Sequence, residues 1–281
     1  MTEHLIEVEP GVSIHAQDLG SGDPVVLLHG WALGHEVWDR QVYEFVTSGR
    51  RAIAIDLRGH GLSSKPFDGY DVQRLASDVI GVIEGLELEH VTLVGWSLGG
   101  LTAFRSAIAR PDLFARLVLV CSNGVAASRQ PGLPFGAAAA DVQDAVLAVE
   151  LTDRVASREQ QIRSTMRKGT SEATIRWLLG LTMRVPSWAG RGCLATVLNT
   201  NQVDDAVELG VPLVQILGES DPILSTRAAS WLMDHVPVAS QVRIPDSGHF
   251  PMFENAGPFT DALLAAVGSG DLVPGSSPQP E

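Results

Sequence analysis

Apolar positions along the chain fall into two alternating periodicities. Val25-Val26-Leu27-Leu28, Val91-Thr92-Leu93-Val94 and Arg116-Leu117-Val118-Leu119-Val120 are short, nearly continuous apolar runs. Val211-Pro212-Leu213-Val214-Gln215-Ile216-Leu217 and Ser240-Gln241-Val242-Arg243-Ile244 repeat the pattern late in the chain. Runs of this length, bounded by turn residues, predict strands buried on both faces, as in a parallel sheet. Between the early runs lie stretches with helical spacing: 37–48, then 72–86 with apolar residues at Val72, Leu75, Ala76, Val79, Ile80 and Ile83, then 98–109, closed by Arg110-Pro111. Strand and helix in alternation predict an α/β fold. The alternation stops after Ser122 and resumes at Val211, with helical patterns at 137–149, 158–168, 171–183 and 190–199 in between. Residues 1–122 and 209–267 are therefore expected to form one core, interrupted by a helical insertion at 123–208. Residues 268–281, rich in Gly, Ser and Pro, are expected to be disordered.

The strand at Val91 runs into Gly95-Trp96-Ser97-Leu98-Gly99-Gly100 and then into a helix. A serine on so sharp a turn holds a strained backbone, and side chains at Gly95 and Gly99 would collide with the neighbouring strand and helix. Gly-x-Ser-x-Gly in this setting predicts a nucleophile elbow with Ser97 exposed above the sheet. Leu98 would begin the helix, so its amide and the positive helix end would face a developing oxyanion. Nucleophilic serine needs a base and a carboxylate to orient that base, here in the chain order Ser, Asp or Glu, His. Asp221 in Gly218-Glu219-Ser220-Asp221-Pro222 and His249 in Pro245-Asp246-Ser247-Gly248-His249-Phe250 each follow a predicted strand. Glu219 is the alternative acid; Asp221 is preferred because it lies farther into the loop.

Composition narrows the picture. A net charge of −13 makes nucleic acid an improbable partner. No run of 18 apolar residues and no basic, apolar leader is visible, so neither a membrane span nor a signal peptide is expected, and a cytoplasmic location is. Cys121 and Cys193 make no metal-binding pattern and are expected to pack as small apolar groups. The insertion is basic: Arg154, Arg158, Arg163, Arg167, Lys168, Arg176, Arg184 and Arg191 stand against only Glu159 and Glu172. Arg154, Arg158, Arg163 and Arg167 are spaced to share a helix side. Such a face is either solvated or receives an acidic partner or an anionic acyl substrate.

Asp23-Pro24 leads the first apolar run into His29-Gly30-Trp31-Ala32. With this loop, with Asp56-Leu57-Arg58-Gly59-His60-Gly61-Leu62-Ser63, and with the elbow and the two late loops, the chain resembles the α/β-hydrolase family over residues 5–120 and 209–267. The resemblance implies a mostly parallel eight-stranded sheet flanked by helices, with a helical cap inserted after strand 6 that would make 123–208 a lid. It also implies a second oxyanion donor, the backbone N–H of Trp31, and a structural role for His29. More narrowly, His29-Gly30-Trp31-Ala32-Leu33-Gly34-His35-Glu36-Val37-Trp38 with the elbow is similar to pimeloyl-[acyl-carrier protein] methyl ester carboxylesterases, whose arginine-bearing lid docks an acidic carrier protein. The Asp56 loop is closer to haloperoxidase-like esterases and enol-lactonases.

The expectation is a serine hydrolase that cleaves a small-molecule carboxylic ester through an acyl-enzyme on Ser97, His249 and Asp221. No metal or organic cofactor is needed. Trp96, Phe135, Trp177, Met183, Trp188 and Phe250, beside Trp31 and Leu98, are candidates to line the acyl pocket. A lactonase, C–C bond hydrolase, perhydrolase or cofactor-free oxygenase could use the same three residues. Outside the enzymes, a hydrolase-fold receptor could hold a ligand there without turnover. Serine as nucleophile argues against haloalkane dehalogenase and epoxide hydrolase chemistry.

Overall fold

Both faces of the central strands carry apolar side chains, and this sets the layering. In the computed structural model, which describes residues 1–224, 226–236 and 239–268, eight strands form one sheet. They are β1 (Thr2–Glu9), β2 (Val12–Gly20), β3 (Pro24–Leu28), β4 (Arg51–Ile55), β5 (Val91–Trp96), β6 (Phe114–Val120), β7 (Leu213–Gly218) and β8 (Ala239–Ile244). Their order across the sheet is β1-β2-β4-β3-β5-β6-β7-β8. β2 runs antiparallel to β1 and β4, and every other pair is parallel. Of the expected tail at 268–281, all but Gly268 lies outside the described residues.

The helices are α1 (Asp39–Thr47), α2 (Val72–Gly85), α3 (Leu98–Ala109), α4 (Ala139–Thr152), α5 (Arg154–Thr165), α6 (Glu172–Thr182), α7 (Ser187–Asn199), α8 (Thr226–His235), α9 (Pro251–Glu254) and α10 (Ala256–Val267). Val25 and Leu27 of β3 face the core closed by Val42 and Phe45 of α1 and by Phe259 and Leu263 of α10. Val26 and Leu28 face the other way, onto Leu75, Val79 and Val82 of α2 and Phe104 of α3. Each of these fully buried side chains contributes about 1.5–3 kcal/mol relative to exposure.

Helices α4 to α7 occupy the segment between β6 and β7. Two of them start earlier than the spacing predicts. Asp153 accepts the N–H of Ala156 through its side chain and caps α5, so the helix begins at Arg154, not 158, and ends at Thr165. α7 begins at Ser187, directly after Pro186, not at 190. Ile162, Met166, Ile175, Leu178 and Leu181 join the α1/α10 core, while Val185, Ala189 and Cys193 join the α2/α3 core. Cys121 and Cys193 are free and buried. Among the described residues no helix is long and apolar enough to cross a membrane.

A buried polar knot anchors the loop after β4. Asp56 receives the Nδ1 atoms of His15 and His35, both at 3.0 Å, and the N–H groups of His35 and Leu62, both at 2.8 Å. Burial opposes its ionisation, but the two histidines outweigh it and hold the Asp56 carboxyl well below the usual carboxylate range. Burial likewise pulls His15 and His35 down, and their bonds to Asp56, with Glu3 for His15, leave both above the ordinary histidine value of 6.5. A histidine raised in the folded state adds stability that is fully present below its unfolded value and is lost as pH rises through its folded value. The deeply buried His29 and His60 are shifted down and contribute with the opposite sign while the unfolded chain loses its protons around 6.5, a contribution that is complete by about pH 7.5. Thermal unfolding is therefore expected at falling Tm from about pH 7.5 to 8.5, with a flatter slope in His35→Gln. An identical slope in the two proteins would remove His35 from this role.

Candidate functional site

Ser97 stands between β5 and α3 at φ 54°, ψ −115°, a conformation L-residues rarely adopt. Holding it costs on the order of 1–3 kcal/mol, which the surroundings must over-determine. They do so by close backbone approach: a Cβ on Gly95 would fall on the Gly99 carbonyl, and one on Gly99 on the carbonyls of Leu28 and His29. The N–H of Ser97 is bonded to the Val120 carbonyl at 3.0 Å.

The loops after β7 and β8 meet Ser97. His249 Nε2 lies 3.0 Å from Ser97 Oγ, and its Nδ1 lies 2.9 Å from Asp221 Oδ2 and 3.1 Å from Oδ1. Asp221 Oδ1 also accepts the N–H groups of Ile223 at 2.8 Å and Leu224 at 3.1 Å. Burial raises the cost of its charge, but His249 and these two amides outweigh it, so Asp221 is held below the usual carboxylate range. With Nδ1–H donated to a carboxylate, Nε2 presents its lone pair to the serine hydroxyl. Glu219 is exposed and takes no part in this relay.

His249 is fixed from several directions. Its N–H donates to the Thr165 carbonyl at the end of α5 at 3.1 Å, and its carbonyl accepts Trp96 Nε1–H at 2.9 Å. Glu254 accepts the N–H of Gly248 at 2.7 Å and of Phe250 at 3.1 Å, closing the loop from behind. No sequence pattern singled out Glu254 or Thr165. Cys121 sits beside this group, but burial, with Asp221 next to it, pushes its thiol well up, so it is no competing nucleophile. Among the described residues, two clusters combine metal-ligating residue types, Cys121, Asp221 and His249, and His15, His35 and Asp56. In each, the histidine and aspartate atoms are already engaged in the hydrogen bonds given above.

The loop after β3 is held by two neutral histidines. His29 accepts the N–H of Leu57 at Nε2 (3.0 Å) and donates from Nδ1 to the Gly30 carbonyl (2.7 Å). C=O and N–H of a trans peptide point opposite ways, so His29 also fixes the direction of the Trp31 N–H. His60, held by burial at a pKa of about 3, accepts the N–H of Ala32 at 3.1 Å. The N–H groups of Trp31 and Leu98 donate to no acceptor among the described residues, and Leu98 directly follows Ser97. The Trp31 indole is clamped by the insertion: Nε1–H donates to the Gly190 carbonyl at 2.7 Å, and the Arg158 guanidinium lies 4.7 Å over the ring.

The six residues predicted to line an acyl pocket are spread widely. Trp96 and Phe250 are buried and pack against the His249 ring. Phe135 lies under Arg227, Trp177 meets Phe253 edge-on, and Trp188 stacks on Phe67. Met183 lends its carbonyl to Arg154. None of the six lines the small cavity at Ser97, about 20 Å³, which is bounded by Ser122, Asn123, Ala126, Ile223 and Leu224. A larger groove of about 600 Å³, lined by His35, Glu36, Trp177 and Phe253, excludes all three residues of the relay.

The arginine face that the spacing suggests is not there. Arg158 is turned inward and wholly buried, bonded to Glu150 at 2.7 and 3.0 Å and to the Thr182 carbonyl, because Glu150 at the end of α4 is itself buried and requires a cation. Arg154 donates to the carbonyls of Met183 and Val185, Arg163 pairs with Glu159 and Glu172, Arg167 reaches Asp246, and Arg184 pairs with Glu36. Lys168, Arg176 and Arg191 are exposed.

Comparison with known proteins gives the same frame. The family described as "Alpha/beta hydrolase family" matches residues 25–262. The chain is 29% identical over 252 residues to AB hydrolase superfamily protein YisY of Bacillus subtilis, covering 89% of this chain and 94% of that one. It is 29% identical over 248 residues to the pimeloyl-[acyl-carrier protein] methyl ester esterase of Nitrosomonas europaea, covering 85% and 93%. Among solved structures, an esterase from Exiguobacterium antarcticum superposes with a TM-score of 0.90 at 26% identity, covering 94% of this chain and 98% of that one.

Proposed function

The chain belongs to the α/β hydrolase family, and from that premise we propose that it hydrolyses carboxylic esters through an acyl-enzyme on Ser97. The observation that carries the reading is the unbroken relay from Asp221 through His249 to Ser97 on a strained elbow. In the first step Ser97 Oγ attacks the acyl carbon while His249 Nε2 takes its proton, and the resulting imidazolium is stabilised by Asp221. The N–H groups of Trp31 and Leu98 hold the oxyanion, helped by the positive end of α3. The C–O bond to the alcohol then breaks as His249 returns the proton to the leaving oxygen. A water, deprotonated by His249, attacks the acyl-enzyme, and the acid leaves with Ser97 restored. A lactone would open by the same two steps.

Release of p-nitrophenol from short acyl esters tests the reading, together with mass spectrometry of the protein after a serine-reactive phosphonate. Turnover lost in step with one adduct on Ser97 supports it. Stoichiometric ligand binding without turnover would point to a receptor built on the same fold.

Docking of an acidic carrier is a second reading, favoured by the Nitrosomonas relative together with the exposed Lys168, Arg176 and Arg191. Reversing Lys168, Arg176 and Arg191 to Glu is then expected to raise KM for a carrier-borne ester several-fold at low salt, to lose that effect as salt rises, and to leave a p-nitrophenyl ester unchanged. An equal response of both substrates removes the carrier.

A further inference from the structure

Asn123 lies in the loop after β6 and is 1% exposed. Its Oδ1 accepts the N–H groups of Val125 at 3.1 Å and Ala126 at 3.0 Å. These two bonds fix the amide's orientation, since a flipped Nδ2 would face two donors with only donors of its own. The Nδ2 amino group has no acceptor among the described residues. Asn123 lines the cavity that Ser97 also lines, and with Oδ1 committed to the loop, the buried amino group is its side-chain polar atom without a partner among the described residues. The neighbouring walls are largely apolar, with Ala126, Ile223 and Leu224, and Ser122 Oγ is bonded to the N–H of Gly124. Buried donors in folded proteins are rarely left unpaired, so this one calls for a partner that enters the cavity.

We infer that Asn123 is a specificity residue whose Nδ2 donates a hydrogen bond to an oxygen in the acyl part of the substrate. The preferred substrates are esters or lactones carrying an ether, hydroxyl or carbonyl oxygen a few bonds from the scissile carbonyl. The inference rests on the assignment of Ser97 as nucleophile. A cavity of about 20 Å³ holds about one water-sized group, so it selects a single oxygen-bearing position and not a long chain. An all-carbon acyl group placed there strands the buried donor, and sites built around a hydrogen bond reject analogues that lack it more strongly than apolar pockets reject a missing methylene.

The test uses shape-matched pairs. p-Nitrophenyl methoxyacetate and butanoate differ by an ether oxygen in place of a CH₂; the 3-methoxypropanoate and pentanoate esters move that oxygen one bond further out. The quantity read is the ether-to-alkyl ratio of kcat/KM in the wild type divided by the same ratio in a variant, in which intrinsic reactivity cancels. Asn123→Asp keeps the acceptor for Val125 and Ala126 and removes the donor. Asn123→Ala removes the whole amide and decides the matter if the added charge disturbs folding. For at least one pair the wild-type ratio is expected to exceed the variant's by about 10-fold, the worth of one well-made hydrogen bond in a buried site. Unchanged ratios for both pairs in wild type and variants, with all four esters turned over, would mean that water satisfies Nδ2 and would overturn this inference alone. Failure of the wild type to turn over any of the four, with no phosphonate adduct on Ser97, would overturn the hydrolase reading and this inference with it.

Discussion

Ser97→Ala and His249→Ala are each expected to lower kcat for a p-nitrophenyl ester by about 10⁴-fold or more, and the double variant to be little worse than either. The non-additivity is the informative part. Once Ser97 Oγ is gone, a base 3.0 Å away has no proton to take, and once His249 is gone the hydroxyl is not activated. Asp221→Asn is expected to be severe as well, since the amide can present an N–H to Nδ1 and so turn the wrong ring nitrogen toward Ser97. Steady-state and single-turnover kinetics on the four proteins check this. A single variant with near-normal rate would dissolve the relay, and damage from Glu219→Gln with a mild Asp221→Asn would move the acid.

The largest expected effect on stability comes from Arg158→Met. The substitution leaves the Glu150 carboxylate, 3% exposed, with Arg154 Nε at 4.0 Å in place of the bonded guanidinium, and breaking a buried pair from one side typically costs about 3–5 kcal/mol. Arg158→Met with Glu150→Leu removes both charges and is expected to recover most of the loss, because each charge is buried largely for the sake of the other. Urea melts of the wild type, the two singles and the double give the coupling energy directly. Additive losses would show that the two side chains do not depend on each other. The single variant also takes the guanidinium from above Trp31, so its residual activity should fall further than its folded fraction.

Strands β3, β5, β6 and β7 were legible because each is buried on both faces and therefore reads as an apolar run. β1 and β2 were not. β1, at the sheet edge, alternates exposed and partly buried positions, and β2 carries His15, bonded to Asp56 and Glu3, and Asp18, bonded to Arg51, all partners from other segments. Ser97, Asp221 and His249 could be picked out because each follows a strand that such runs mark, and the structure brings them within hydrogen-bonding distance. The cavity lining was not legible, since it depends on how the loop after β6 folds back beside Ile223 and Leu224. The arginines misled for a similar reason. Spacing says which residues share a helix face but not that Glu150, Glu172 or Glu36, the last 148 residues before Arg184, waits opposite one of them.

The hold on Trp31 bears on how such a protein can diversify. Its indole is gripped by the Gly190 carbonyl and the Arg158 guanidinium, both contributed by the segment between β6 and β7, while its backbone amide belongs to the proposed oxyanion site. A Cβ at position 190 would run into the Arg158 guanidinium, which Glu150 holds in place, so a side chain there would disturb the arginine. The insertion is thus no interchangeable module. A chimaera carrying a relative's insertion would lose the grip on the residue whose amide is a proposed oxyanion donor unless the donor segment brought an equivalent arginine, acid and small residue, and it would also have to supply the carbonyl that Thr165 offers to the His249 N–H.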